Sequence, residues 1–215
     1  LKSSNLNLKS MRIGPRYKRA RRLGADLFEK TQTQKYAIRS SGSGRGGRGG
    51  RGGRGGALGY GKSDFGAQLY EKQRARYLYG IGERQFARYV ASAIARRVAP
   101  DAVLYASLEL RLDNVLYRLG IAPSRQAARQ LASHGHFTVN GKRVTIPSLS
   151  LSTGDVIRVR QGSVAKQPLT NLADKIRDHR VPHWLSFDHI KGEATVVAVP
   201  KLVKTELPFN IATIL

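Results

Sequence analysis

The sequence predicts an α+β fold behind a basic, partly disordered N-terminal extension. Three observations lead there. Apolar residues recur at helical spacing from Phe65 to Leu119. Two short runs, HFTV and KRV, are joined by Asn140-Gly141, the dipeptide that favours a tight hairpin turn. Ahead of both, residues 1–62 hold 16 Lys/Arg against Asp26 and Glu29 alone.

The 215-residue chain carries a formal net charge of +24, and +14 of it lies in those first 62 residues. A balance of that sign attracts phosphates and predicts a polyanion as partner. There is no cysteine, so neither a disulfide framework nor a thiolate metal site is available. The longest apolar run, ATVVAVP at 194–200, is strand-length, well short of the ~18 residues that span a bilayer. LKSSNLNLKSMRIG has no apolar core and is not read as a secretory signal.

In the extension, Arg16, Lys18, Arg19, Arg21 and Arg22 crowd the run RYKRARR. It reads as a solvated tail or, better in so basic a chain, as a strand-like arm held against phosphates. ADLFEK follows with apolar residues that could pin it. Twelve of the 23 glycines then fall between Gly42 and Gly61, around arginines spaced by three. With little to bury and much backbone entropy to lose, this array is expected to be disordered alone. It adds charge without fixed geometry.

Order resumes at Ser63, where Ser63 or Asp64 caps a helix whose Phe65 and Leu69 share a face. Lys72, Arg74 and Arg76 lie along it, and Gly80 and Gly82 break it. A second helix carries Phe86, Val90, Ala93, Ile94 and Val98 inward, leaves Arg84 and Arg88 mostly outside that stripe, and ends at Pro100. A third places Leu108, Leu112, Val115, Leu116 and Leu119 on one stripe and stops at Gly120. These stripes read as core.

Ser124 is placed to cap a short helix with Ala127, Ala128 and Leu131 inward and Arg125 and Arg129 one turn apart outside. DVIRVR, from Asp155, alternates as a further strand. Positive groups then converge at one edge: Arg111 and Arg118 from one helix, Arg125 and Arg129 from the next, Lys142 and Arg143 after the hairpin turn. His134 and His136 flank a glycine, where a ligand can approach the backbone. Surface helices also carry arginines for solubility, but the net charge and the lack of acids on this helix favour RNA.

RLDNVLYRLG, SRQAARQL and HGHFTVNGKRV resemble the αL RNA-binding module named after ribosomal protein four of the small subunit. GPRYKRARRLGADLF resembles that family's N-terminal arm, and SDFGAQLYEKQRARYLYGIGERQF its helical segment. VPHWLSFD, GEATVVAVP and LPFNIATIL resemble its closing strands and C-terminal segment. Nearly the whole chain outside 1–10 and 31–61 follows the order of the bacterial-type small-subunit ribosomal protein four family.

That resemblance implies a basic arm and loop at 1–62, a helical domain at 63–108 closed by 205–215, and an α/β domain at 109–204 with the module at about 109–160. It implies binding to the 5′ domain of small-subunit rRNA, early action in assembly, and a place near the mRNA entry path beside ribosomal protein five, bearing on decoding accuracy. The setting is a cytoplasmic ribosome, with an organellar one left open. By motif position it carries rRNA contact onto Arg111, Ser124, Arg125, Arg129, His134, Asn140, Lys142 and Arg143, and less directly onto Lys72, Arg74, Arg76, Arg84 and Arg88. Arg118 and His136 join from the same edge. In place of the family's loop ending in a proline-glycine-glutamine-histidine-glycine run stands the glycine-arginine array, and the four cysteines that hold zinc in some members are absent.

An enzyme is not expected. About 100 residues outside the module and tail are too few and too helical for the catalytic domains the module accompanies elsewhere. The glycines at 42–56 lack the preceding strand that a phosphate loop needs. His134 and His136 have no nearby third metal ligand, and His179, His183 and His189 are scattered. No cofactor is expected. A free regulatory RNA-binding protein driven by the glycine-arginine array, or a ribosome-associated stress factor, are the rival readings.

Overall fold

A computed structural model describes residues 14–42, 63–164, 169–170, 176, 179–188, 191–203 and 207–215. The glycine-arginine array at 43–62 lies outside them, as does the tract before Gly14. The described residues divide into two compact units, one running to Arg88 and resuming at Val203, the other covering Tyr89 to Leu202. The division falls inside a helix, whereas the sequence reading placed it after 108.

In the first unit the arm is helical, not strand-like. Helix α1, Arg16–Leu23, follows Pro15 and stops at Gly24, whose φ of 108° suits glycine. Arginine, alanine and leucine favour helix, and this one has something to bury. Ala20 and Leu23 pack with Leu27, Phe28 and Tyr36 into a small core against Tyr70, Tyr77 and Leu78. Two 3₁₀ turns and helix α2, Gln34–Gly42, complete the arm.

Helix α3, Asp64–Tyr79, is capped by the Ser63 hydroxyl, which accepts from Gly66 N at 3.1 Å. It ends at Gly80 in the left-handed conformation. The C-terminal segment closes on α3: Phe209 meets the Tyr79 ring edge-on at 6.4 Å, and Asn210 N donates to Glu71 Oε2 at 2.7 Å. Phe65, expected inward, is 73% exposed.

Helix α4, Glu83–Ala95, stops before Pro100. Arg97 and Ala99 take positive φ, and Pro100 instead opens helix α5, Pro100–Glu109, at the position where its missing N–H costs nothing. Val98, beyond the early end, is 74% exposed, and Ile94, in the last turn of α4, is 49% exposed, while Phe86 and Ala93 are buried as expected.

The expected third helix is two. Helix α6, Leu112–Arg118, is separated from α5 because Leu110–Leu112 pair with the chain at 149–151: Leu112 N donates to Leu149 O and Leu151 N to Leu110 O, each at 2.9 Å. The stripe survives this break, with Leu108, Leu112, Val115, Leu116 and Leu119 fully buried. Gly120 turns the chain at φ 77°. Helix α7, Arg125–Ser133, is capped by Ser124 Oγ, which accepts from Ala127 N.

Strands β1 (Phe137–Val139), β2 (Lys142–Val144), β3 (Val156–Val159), β4 (Leu185–Asp188) and β5 (Glu193–Val196) form one antiparallel sheet in the order β2-β1-β3-β5-β4. Asn140 and Gly141, at φ 50° and 78°, make the type I′ turn between β1 and β2. Phe137, Ile157, Ala194 and Val196 face a core shared with Leu116, Ala128 and Trp184. This fixes α6 and α7 on one side of the sheet.

Candidate nucleic-acid interface

The arginines of the module do converge, but on acids. Two buried carboxylates, Glu109 at the end of α5 and Asp113 in the first turn of α6, gather three guanidinium groups. Arg111 Nε and Nη2 donate to Asp113 Oδ1 and Oδ2 at 3.0 and 2.8 Å, and Nη1 to the Tyr89 hydroxyl at 2.8 Å. Arg129 Nε and Nη2 reach the same Asp113 Oδ2 from α7, at 2.8 and 2.6 Å. Arg118 grips Glu109 with Nε and Nη2, at 2.8 and 3.0 Å. Such paired, charge-assisted bonds hold a guanidinium in one plane.

Asn114 links the two acids' territory to Arg125. Its amide nitrogen donates to Glu109 O and Oε2, and its oxygen accepts from Arg125 Nε at 2.7 Å. The Arg125 guanidinium also lies 4.3 Å over the Tyr117 ring.

The structure therefore moves Arg111 out of the expected contact set. It is 2% exposed with every guanidinium nitrogen engaged, so it organises the interior and presents nothing to RNA. Burial opposes its charge, but the charge and hydrogen bonds of Asp113, with Tyr89, outweigh burial and raise its pKa. Arg118, Arg125 and Arg129 stay at the rim, partly exposed. Four cations against two carboxylates leave that rim positive. The balancing acids absent from α7 come from α5 and α6 instead.

The hairpin end differs. Lys142 and Arg143 are exposed beyond the turn. Arg143 lies across Gly135, where a Cβ would come within 2.6 Å of its Nε, and its Nη2 approaches His134 O at 3.5 Å. His134 is exposed and stacks on His136 with ring centroids 6.0 Å apart, and His136 Nδ1 meets Ser163 Oγ at 2.9 Å. Asn140 is committed to the fold: its amide donates to Asp155 Oδ1 at 2.8 Å and accepts from Val156 N at 2.9 Å. The Ser124 hydroxyl is likewise spent on its helix cap.

The first unit carries a second basic surface. Lys72 and Arg76 both pair with Glu83, Lys72 at 2.9 Å. Partial burial opposes ionisation of Glu83, yet the hydrogen bond from Lys72 and the charge of Arg76 win and lower its pKa. Arg74 Nη2 pairs with Asp26 at 2.6 Å and ties the arm to α3, while Arg19 lies 5.1 Å over Tyr77. Lys18, Arg21, Arg22, Arg84 and Arg88 are exposed, and Arg16 is partly so. Sequence reasoning missed Asp26, Glu83, Glu109, Asp113 and Asn114. For the last three, one signal was present: polar residues interrupt an apolar stripe in LELRLDNVL.

A family profile described as the S4 domain matches residues 110–157, and one described as the ribosomal protein S4/S9 N-terminal domain matches 11–109. Small ribosomal subunit protein uS4 of Chlorobaculum tepidum is 45% identical over 148 residues, covering 69% of this chain and 73% of that protein. The uS4 of Chloroflexus aurantiacus is 44% identical over 150 residues with the same coverage, and that of Chlorobium phaeovibrioides 43% over 148. With the helix pair, the hairpin and its latched arginines in place, and with relatives this similar along both profiles, the chain belongs to the uS4 family of small-subunit ribosomal proteins, a structural and non-enzymatic family carrying the S4 RNA-binding domain.

Proposed function

We infer that the chain is a structural constituent of the small ribosomal subunit that binds the 5′ domain of its rRNA and joins early in assembly. The observation that carries this reading is the rim of Arg118, Arg125 and Arg129, each held by a side-chain hydrogen bond, together with exposed Lys142 and Arg143. Rigid, spread cations suit a folded RNA, whose phosphates stand at defined angles and whose shallow minor groove offers 2′-hydroxyls. Arg16, Lys18, Arg21, Arg22, Arg84 and Arg88 extend the positive surface on the first unit, and Lys72, Arg74, Arg76 and Arg19 contribute what their internal partners leave over. His134 and His136 supply ring faces beside the hairpin. On this reading the protein sits on a cytoplasmic ribosome near the mRNA entry path, beside ribosomal protein five, and bears on decoding accuracy.

The test is titration of the full chain against the 5′-domain fragment of a bacterial small-subunit rRNA over a range of salt. Saturable binding that weakens steeply as salt rises supports the reading. No binding at moderate ionic strength overturns it.

A further inference from the structure

We propose that Asn114 is a positioning residue for RNA binding: it touches no RNA itself and acts by fixing the plane of the Arg125 guanidinium. The inference rests on the reading of Arg125 as an rRNA contact and adds a device to it.

Asn114 is 1% exposed, in the interior where a neutral leucine would fill the stripe more simply. Its amide is fully directional. Nδ2 is held by Glu109, through backbone O at 3.1 Å and Oε2 at 2.9 Å, which leaves Oδ1 facing outward toward α7. That oxygen takes the Arg125 Nε proton at 2.7 Å. Glu109 is itself fully buried and bonded twice by Arg118, so the support behind Asn114 is anchored in turn.

On its other side Arg125 is stacked at 4.3 Å on Tyr117, from the same helix as Asn114. A bond to Nε and a ring against the face together fix both the tilt and the rotation of a planar guanidinium. An arginine on a free stem has to lose rotamer entropy when it meets a phosphate, whereas one already oriented loses little.

The neighbouring residue does the parallel task for Arg129, since Asp113 Oδ2 takes both Nε and Nη2. Asp113 is the poorer test, because its loss strands the buried Arg111. Asn114 is neutral and its partner Arg125 lies at the rim, so the device can be taken apart there.

The experiment compares four full-length variants for affinity to the 5′-domain rRNA fragment, for the salt slope of that affinity, and for melting temperature. Arg125→Ala tests the contact itself. Arg125→Lys keeps the charge and removes the Nε donor and the planar face. Asn114→Ala removes the support, and Asn114→Ala with Arg125→Ala closes the cycle. The expected result is a loss of about five- to tenfold for Arg125→Ala and for Arg125→Lys alike, and a comparable loss for Asn114→Ala measured well below its melting temperature. The double variant then binds no worse than Arg125→Ala.

Wild-type binding by Arg125→Lys overturns the proposal, as does a double variant whose losses simply add. Wild-type binding by Arg125→Ala overturns the contact reading beneath it, which keeps the two failures apart. If Asn114→Ala lowers the melting temperature but leaves affinity and salt slope unchanged, its role is structural only, and the proposal falls.

Discussion

Asp113 accepts two hydrogen bonds from Arg129, both on Oδ2, at 2.8 and 2.6 Å, and thereby joins α6 to α7. The same carboxylate neutralises Arg111 in the interior. The module is thus closed by ion pairs as well as by its apolar stripe, and its outward cations are part of that closure.

Replacing Asp113 by Asn leaves the buried Arg111 charge without a counterion. Removing one partner of a buried pair typically costs about 3–5 kcal/mol. Urea denaturation is expected to show a loss of that order, where Lys142→Gln, at an exposed position, changes stability by less than ~0.5 kcal/mol.

Asn140 holds the hairpin turn at φ 50° and bonds to both Asp155 and Val156. Asn140→Ala loses both bonds and places a Cβ-bearing residue with no compensating side chain in the left-handed region, for about 1–3 kcal/mol in all. Asn140→Gly keeps the conformation and loses only the bonds. Thermal melts should rank the three proteins wild type, Gly, Ala.

Glu83 gives a pH dependence of known sign. Its folded pKa is lowered, so its contribution is complete above the unfolded carboxylate value, about 4.3, and is lost as pH falls through the lower folded value. With a side chain 49% exposed the effect is screened and stays within ~1 kcal/mol. Melting curves of wild type and Glu83→Gln should differ at pH 7 and converge below that window. A difference that persists or grows in acid contradicts the assignment.

The arm is fastened by Asp26 to Arg74 and by the cluster around Phe28. Arg74→Gln should raise amide hydrogen exchange in α1 while leaving exchange in the core of the sheet unchanged, because the two belong to different compact units. Uniform acceleration across both would contradict that independence.

Local signals were legible in the sequence. Ser63, Ser124, Gly80, Gly120 and Asn140-Gly141 each dictate a cap or turn within a few residues, and each stands where its chemistry requires. The helical stripe over 108–119 likewise predicted which leucines are buried. What failed depended on distant partners. The break between α5 and α6 arises from pairing with residues 149–151, and α1 is helical because α3 offers a tyrosine-rich surface to bury it against. The acid latch was obscured because Glu109 and Asp113 read as ordinary helix charges until folding places them under arginines from 118 and 129. Spacing showed that the cations gather, but not what they gather on.

The central claim is that folded elements hold cations in a fixed array that fits ribosomal RNA. Its most direct test is the salt dependence of 5′-domain rRNA binding by the full chain and by a variant with Arg125, Arg129, Lys142 and Arg143 all changed to Gln, both with intact melting transitions. The account predicts that the variant binds more weakly and that its log–log salt slope is shallower by about two to four, near one unit per lost phosphate contact. Equal affinity and equal slope in a folded variant would contradict it.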